Sequence, residues 1–217
     1  ARATVRIPSD DFTILYAGRL LEMKGIDDLI DAFAALASAR SDDNLRLIIL
    51  GAGDYESAII ARASATAVSD RIEIRGSVAN EEIRPYMCAV DAFVLPSRAA
   101  WCEQFGRVLA EAMLVETPVI GSTSGEIPQV IGDGGFIYQA DDVDSLFSVL
   151  IDVLDNPREV ARRVAIGREK ALTEYSVDAF ARRTIDMIEE LAGRPVRRRS
   201  FDQSTVAASK QTTVTAA

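Results

Sequence analysis

The fold is indicated first by residues 12–34, FTILYAGRLLEMKGIDDLIDAFA. Residues 12–17 are mostly apolar and are typical of a buried strand, which ends at Gly18. Apolar side chains then recur at the spacing of one helix face, at Ile26, Leu29, Ile30, Phe33 and Ala34. A strand that passes through a glycine-bounded loop into a helix is the first part of a β–α–β unit.

The same alternation continues along the chain. We predict further strands at residues 45–50, 71–75, 92–95, 118–121 and 136–138. We predict further helices at residues 55–67, 81–89 (with Asn80 as its cap), 105–115, 127–131, 144–154, 157–173 and 177–192. Strands that alternate with helices form parallel sheets with right-handed crossovers. The prediction is an α/β, doubly wound, Rossmann-like parallel sheet with helices on both faces, in strand order 3-2-1-4-5-6.

Three segments follow from this pattern. Residues 1–11 form an interdomain lead-in, residues 12–193 form the Rossmann-like domain, and residues 194–217 form a disordered tail without periodicity. The basic cluster at residues 197–199 raises peripheral contact with an anionic membrane surface as an alternative to a solvated tail.

Composition indicates a globular protein, with 48% apolar and 26% charged residues. The sequence has no run of about 18 apolar residues, and we therefore predict no membrane span. No basic-then-apolar leader precedes the first strand, and we therefore expect a cytoplasmic protein. Cys88 and Cys102 fit that compartment as reduced thiols.

The formal charge is −9, and it is −13 without residues 194–217. Such an acidic body is unsuited to nucleic acid, so that no nucleic-acid partner is expected. The chain has no histidine, which removes the commonest general base and metal ligand. Any anion site must therefore be built from a few aimed cations and backbone N–H groups.

Two cations lie between the first strand and the first helix. Arg19 and Lys24 stand in a loop bounded by Gly18 and Gly25. A cation near a helix N-terminus is unfavourable unless an anion binds there, and arginine and lysine both bind phosphate oxygens. The alternative is a surface Arg19 paired with Glu22 and a solvated Lys24.

Two carboxylates stand eight residues apart in EQFGRVLAE, residues 103–111. We place Glu103 in a loop and Glu111 on the second turn of the following helix, which suits hydroxyls at the two ends of one ligand, with a diphosphate between them. Gly106 allows the first-turn N–H groups to approach phosphate. A glycosidase pair is disfavoured because its carboxylates face each other across a cleft about 5–10 Å wide. A solvated helix face is the other alternative.

Further glycines follow the second and third strands. Gly51 and Gly53 resemble half of a dinucleotide fingerprint, and a tight turn explains them equally well. Gly76, Ser77 and Val78 could offer backbone groups to a base edge.

Together these motifs resemble the C-terminal half of the retaining glycosyltransferases with the GT-B fold, the glycosyl transferase group 1 family, also called family 4. The resemblance covers residues 12–192. Its elements are GRL…KG (18–25), GAG (51–53), GSV (76–78), PS (96–97), E…EAM (103–113), PVI (118–120) and GEIP (125–128).

The resemblance implies a function and assigns roles. The activity is sugar transfer from a UDP-, GDP- or ADP-linked sugar with retained anomeric configuration and with neither metal nor other cofactor. Arg19 and Lys24 bind the donor diphosphate, and Glu103 contacts the sugar hydroxyls. Backbone groups of residues 105–107 contact the donor, and Glu111 binds the ribose. The catalytic set is thus Arg19, Lys24 and Glu103, and the donor-binding set is Gly18, Gly51, Gly53, Gly76, Ser77, Val78, Phe105, Gly106, Arg107 and Glu111.

The chain departs from the family at Gln104 and Glu116, where glycine is frequent, and in lacking an N-terminal acceptor domain. We therefore expect an acceptor domain or acceptor molecule as partner, and an isolated chain that is incomplete. A non-catalytic nucleotide-sugar-binding module, a split-enzyme subunit and a sugar-nucleotide epimerase remain alternatives.

Overall fold

The computed structural model describes residues 1–41 and 43–193, and in them six strands form one parallel sheet. The strands are β1 Phe12–Ala17, β2 Leu45–Leu50, β3 Ile72–Ile74, β4 Ala92–Leu95, β5 Val119–Ser122 and β6 Phe136–Tyr138. Their order is β3-β2-β1-β4-β5-β6, which confirms the predicted order. The predicted disordered tail and its basic cluster lie outside the described residues.

The helices are α1 Ile26–Ala39, α2 Glu56–Ser64, α3 Asn80–Met87, α4 Arg107–Leu114, α5 Ile127–Ile131, α6 Val143–Asp155, α7 Pro157–Lys170 and α8 Val177–Ala192. The described residues form two compact units. The first is Ala1–Ser176, and the second begins at Val177, where its described part consists of α8 and the turn residue after it. The units divide at a different residue from the predicted boundary at 193, and the predicted domain bounds stay a prediction.

The sheet lies at the centre of the first unit. Helix α1 packs with α2 and α6, whereas α4 packs with α3, α5 and α7. The strands between these layers are therefore almost wholly apolar, as buried parallel strands are, and every residue of β4 and β5 is buried. The predicted doubly wound α/β class is confirmed.

Residues 1–11 pack against the rest of the first unit. Arg2 donates a hydrogen bond from Nη1 to the Asp11 carbonyl at 2.6 Å, and its Nη2 pairs with Asp91 at 2.5 Å. Val5 is buried, and its carbonyl accepts a hydrogen bond from Arg75 Nη1 at 2.6 Å. The lead-in thus contributes to the core.

The loops that follow β1, β2 and β3 are joined by backbone hydrogen bonds. The Gly18 N–H donates to the Leu50 carbonyl at 3.0 Å, and the Gly51 N–H donates to the Gly76 carbonyl at 2.8 Å. Gly51 has φ +146°, and a Cβ there would lie 1.8 Å from the Gly18 carbonyl oxygen. A Cβ on Gly53 would lie 2.2 Å from the Leu20 carbonyl oxygen. These two glycines are therefore needed for close packing of the loops.

Four predicted helix starts, those of α2, α3, α4 and α6, are wrong by a residue or two. Helix α4 begins at Arg107 rather than at Phe105 because Gly106, its N-cap, has φ +66°, outside the helical region. Helix α3 includes Asn80, and its N-cap is Ala79, whose N–H donates to Glu82 Oε2 at 3.0 Å.

Glu116 occupies the turn after α4 with φ +64°. This left-handed conformation is the one that glycine adopts without strain, so that the glycine implied here by the family resemblance would fit the turn. The Glu116 carboxylate pairs with Arg168 Nε at 2.9 Å.

Candidate functional site

Lys24 and Glu103, which are 79 residues apart in the chain, form an ion pair at the carboxyl edge of the sheet. Lys24 ends the 3₁₀ turn Glu22–Lys24 after β1, and Glu103 lies in the loop after β4. Their side chains are only 13% and 15% exposed. Glu103 also accepts a hydrogen bond from Ser97 Oγ at 2.8 Å. The predicted pair of sites after β1 and β4 is thus one cluster.

The two loops approach closely because Gly25 follows Lys24. Gly25 has φ +62°, and a Cβ there would lie 2.2 Å from the Pro96 carbonyl oxygen. Any other residue would push the Lys24 turn away from the loop that carries Glu103.

The backbone of Glu103 is held by the loop after β5. The Glu126 N–H donates to the Glu103 carbonyl at 2.8 Å, and the Glu103 N–H donates to Ser124 Oγ at 3.4 Å. A Cβ on Gly125 would lie 2.2 Å from the Glu103 carbonyl oxygen. The Gly125–Glu126 pair of the sequence therefore positions Glu103.

Arg19 lies at the tip of the β1 loop, where it is exposed. Its carbonyl accepts a hydrogen bond from the buried Tyr16 hydroxyl at 2.8 Å. Burial raises the pKa of the Tyr16 phenol far above its usual range, and the nearby negative charge of Glu103 raises it further. Within residues 1–41 and 43–193 the guanidinium of Arg19 has no carboxylate partner, Glu22 included, and it is therefore available to an anion.

Glu111 lines a cleft of about 780 Å³ beside the end of β1. The cleft is lined by Ala17, Gly18, Asn80, Ile83, Arg84, Met87, Arg107, Val108, Glu111, Leu114 and Val115. Arg107 Nε lies 3.4 Å from Glu111 Oε1 across one helical turn, and both side chains are largely exposed. The cleft thus combines an apolar wall with charged groups at its mouth, as ligand sites do.

The structure brings the predicted residues together in two groups that meet at the end of β1. Gly18, Arg107 and Glu111 share the cleft, whereas Lys24 and Glu103 form the ion pair beside Tyr16. Arg19 follows Gly18 in the chain, and its carbonyl is hydrogen-bonded to the Tyr16 hydroxyl.

The remaining predicted site residues do not line the cleft. Gly51 and Gly53 support the β1 loop, and the Gly76 carbonyl accepts a hydrogen bond from the Gly51 N–H. Ser77 is exposed, and Val78 packs against the core.

Phe105 and Gly106 also lie outside the lining of the cleft. Phe105 is 39% exposed and packs edge-on against Tyr175 with ring centroids 5.1 Å apart. A Cβ on Gly106 would lie 2.9 Å from the Leu95 side chain. The ligand roles assigned to all these residues stay predictions.

Sequence reasoning missed Arg98, which ties three loops together. Its guanidinium pairs with Asp27 at 2.6 Å, Asp28 at 3.1 Å and Asp141 at 3.4 Å, and its N–H donates to the Met23 carbonyl at 3.0 Å. Burial raises the pKa of Asp28, and the Arg98 charge opposes that rise. An arginine directly after Pro-Ser at a strand end was the signal available in the sequence.

Trp101 was missed as well. Its indole is 39% exposed, and the Lys24 ammonium lies 5.1 Å from the ring centroid, within the range of a cation–π contact. The available signal was a single tryptophan two residues before Glu103.

No cluster of three or more histidine, cysteine or acidic side chains in residues 1–41 and 43–193 is arranged to hold a metal ion. No helix in this part of the chain combines the length and apolarity needed to cross a bilayer.

Comparison with known proteins identifies relatives of the chain. The family model described as "Glycosyl transferases group 1" matches residues 1–170. A GDP-mannose-dependent monoacylated alpha-(1-6)-phosphatidylinositol monomannoside mannosyltransferase of Corynebacterium glutamicum is 33% identical over 176 residues, which are 79% of this chain and 45% of that protein. A D-inositol 3-phosphate glycosyltransferase of Streptomyces scabiei is 30% identical over 171 residues, 75% of this chain and 38% of that protein. The chain therefore spans less than half the length of these relatives.

Solved structures share the fold. Anabaena HepE in complex with UDP and glucose matches with a TM-score of 0.77 and 22% identity, over 87% of this chain and 51% of HepE. The C-terminal domain of a glycosyl transferase group 1 family protein, LpcC of Francisella tularensis, matches with a TM-score of 0.71 and 20% identity, over 81% of this chain and 91% of that domain.

Proposed function

Since the chain belongs to the glycosyl transferases group 1 family, we propose that it is the donor-binding part of a glycosyltransferase, which takes a sugar from a nucleotide-diphosphate sugar. The ligand lies across the carboxyl end of β1, with its nucleoside in the cleft and its sugar beside Glu103. Such edges of doubly wound sheets are the usual ligand sites of the fold.

One observation carries this proposal: cations and carboxylates converge on the end of β1 from two sides. Arg19 and Lys24 stand in the loop after β1, where Lys24 pairs with Glu103, and Glu111 lines the cleft that Gly18 also lines. The protein body is strongly acidic, so that an anionic ligand needs local cations such as these to bind.

The names of the relatives support the same ligand class. The Corynebacterium relative is named for GDP-mannose, and a structural neighbour of the same fold contains UDP-glucose. We propose a nucleotide-diphosphate hexose as donor, and these names favour guanine or uracil as its base.

The chemistry is the stabilisation of a leaving group. When the bond between the sugar C1 and the phosphate oxygen breaks, its electron pair stays on the diphosphate. Arg19, Lys24 and the first N–H groups of α4 then stabilise the growing negative charge, which lowers the barrier without reorganisation of solvent. The acceptor hydroxyl oxygen forms the new bond to C1, and its proton passes to the departing diphosphate oxygen.

Retention of the anomeric configuration, independence of metal ions and the need for an acceptor-binding domain are parts of this proposal. The cations named above supply the charge that a metal ion supplies in other phosphate sites. The acceptor domain is supplied by the same polypeptide or by another.

Calorimetry of the 217-residue chain tests donor binding. We expect UDP-, GDP- or ADP-hexose to bind equally well with and without a chelator of divalent metals. Arg19→Ala or Glu111→Ala should weaken that binding, whereas Arg158→Ala, an exposed arginine on α7, should leave it unchanged. The proposal is wrong if no nucleotide sugar binds, or if the three variants behave alike.

A further inference from the structure

Trp101 is the one tryptophan of the chain, and it stands immediately before the loop that carries Glu103. It ends the 3₁₀ turn Ala99–Trp101 and is followed by Cys102, which has φ +52°. A left-handed cysteine is strained, and such strain persists only where surrounding contacts impose it, frequently at ligand sites. The turn that presents the indole is thus held in place.

The contacts that hold this turn are in the structure. The Ala99 N–H donates to Asp141 Oδ2 at 3.2 Å, and the Trp101 N–H donates to the Arg98 carbonyl at 3.0 Å. Arg98 in turn pairs with Asp27, Asp28 and Asp141. An exposed aromatic ring on a fixed backbone loses little entropy when a ligand covers it.

The indole lies beside the cluster that the proposed function assigns to the donor. The Lys24 ammonium is 5.1 Å from the ring centroid and also pairs with Glu103. An aromatic surface, an ammonium and a carboxylate therefore follow one another at the edge of the sheet. A hexopyranose offers the matching groups, because its hydroxyls form a polar rim and its C–H bonds form an apolar face.

We propose that Trp101 is a sugar-binding residue, on which the apolar face of the donor hexose stacks while Glu103 accepts hydrogen bonds from the hexose hydroxyls. This inference rests on the proposed function. Burial of C–H groups against an indole is favourable because both surfaces leave water. A nucleoside diphosphate has no hexose, and its binding does not use Trp101.

The competing explanation is that Trp101 serves only to cover Lys24. In that case the loss of Trp101 would disturb the diphosphate site and would weaken the binding of nucleoside diphosphates and of nucleotide sugars equally. The two explanations therefore differ in the ratio of two affinities.

Calorimetry with the 217-residue chain measures that ratio. The ligands carry whichever nucleotide base the unsubstituted chain binds. We expect Trp101→Ala to weaken the affinity for the nucleotide hexose about 3- to 10-fold and to change the affinity for the nucleoside diphosphate less than about 2-fold. Trp101→Phe keeps an aromatic face, and its affinity for the nucleotide hexose should lie between those of the unsubstituted chain and Trp101→Ala. Ile60→Ala, on α2 and similarly exposed at 46%, is the matched control and should change neither affinity.

Fluorescence of the unsubstituted chain tests the inference without any variant, because every tryptophan photon comes from Trp101. The nucleotide hexose should shift the emission to shorter wavelength relative to the nucleoside diphosphate, since Lys24 meets a diphosphate in both cases. Identical spectra, or equal loss of both affinities in Trp101→Ala, would overturn the inference alone. If the unsubstituted chain binds no nucleotide, the proposed function falls, and the inference falls with it.

Discussion

The ion pair between Lys24 and Glu103 permits a prediction in which two substitutions act in opposite directions on ligand binding. Because the structure pairs the two side chains, a diphosphate has to compete with Glu103 for the Lys24 ammonium. Glu103→Gln removes the competing charge, and we expect the affinity for a nucleoside diphosphate to stay the same or to rise. Lys24→Met removes a ligand of the phosphate, and we expect that affinity to fall about 10-fold, as for one lost charge-assisted hydrogen bond.

Both substitutions should lower the free energy of unfolding. Removal of one partner of a fully buried pair costs about 3–5 kcal/mol. The side chains here are 13% and 15% exposed, and Ser97 still contacts position 103, so that we expect about 2 kcal/mol for each single variant. The double variant should lose less than the sum, with a coupling energy of about 1–3 kcal/mol.

Urea denaturation of the unsubstituted chain, the two single variants and the double variant measures this coupling. Calorimetry with nucleoside diphosphates measures binding. Asp31→Asn is the control, because Asp31 pairs with Arg62 where both side chains are more exposed, at 29% and 52%; we expect a loss below about 1 kcal/mol. Additive losses in the double variant would show that the pair does not form in solution. Weaker binding of the diphosphate by Glu103→Gln would refute the idea that Glu103 competes for Lys24.

Three further predictions concern the support of the site and the surface. Gly51→Ala should lower the free energy of unfolding by more than about 2 kcal/mol, because its Cβ meets a carbonyl oxygen at 1.8 Å. Gly76→Ala is the control: with φ +70° and open space around its Cβ, it should lower the free energy of unfolding by about 1 kcal/mol. Equal shifts of the thermal midpoint in the two variants would contradict the difference. Tyr16→Phe removes the hydrogen bond to the Arg19 carbonyl and should cost about 1 kcal/mol in urea denaturation, together with weaker nucleotide binding; unchanged values would show that the bond does not order the loop. Hydrogen bonds from Arg162 and Arg163 lower the pKa of Glu159 to about 2. The ionised Glu159 carboxylate therefore contributes to stability above its unfolded pKa, near 4.5, and this contribution is lost as the pH falls toward 2. A titration of the carboxyl by NMR with a midpoint near 4.5 would contradict this prediction.

Much of the fold was predictable because strand and helix periods are local properties of the chain. The strand at residues 12–17 and the helix face that begins at Ile26 appear in the structure as β1 and α1. The helix predicted from residue 105 began later because Gly106 takes a left-handed conformation, and packing against the Leu95 side chain, distant in sequence, accompanies that choice.

The sequence predicted at which edge of the sheet the candidate site lies, but not which side chains pair there. Parallel strands place their carboxyl ends at one edge, and Arg19, Lys24 and Glu103 could therefore be expected there. Their partners could not be derived, since the pairing of Lys24 with Glu103 joins residues 79 apart and depends on rotamers and loop paths that no local pattern specifies. The loop contacts of Arg98 depend on the same kind of long-range packing.

What the sequence by itself determined is the order of strands and the edge at which the charged residues meet, because hydrophobic period, glycine position and the handedness of crossovers leave few other arrangements. Only the tertiary structure decided that Lys24 is held by Glu103 while Arg19 is exposed, and that Glu111 belongs to a cleft behind Gly18. The physical reason is that the direction of each side chain is set by contacts between loops that are distant in the chain and close in space.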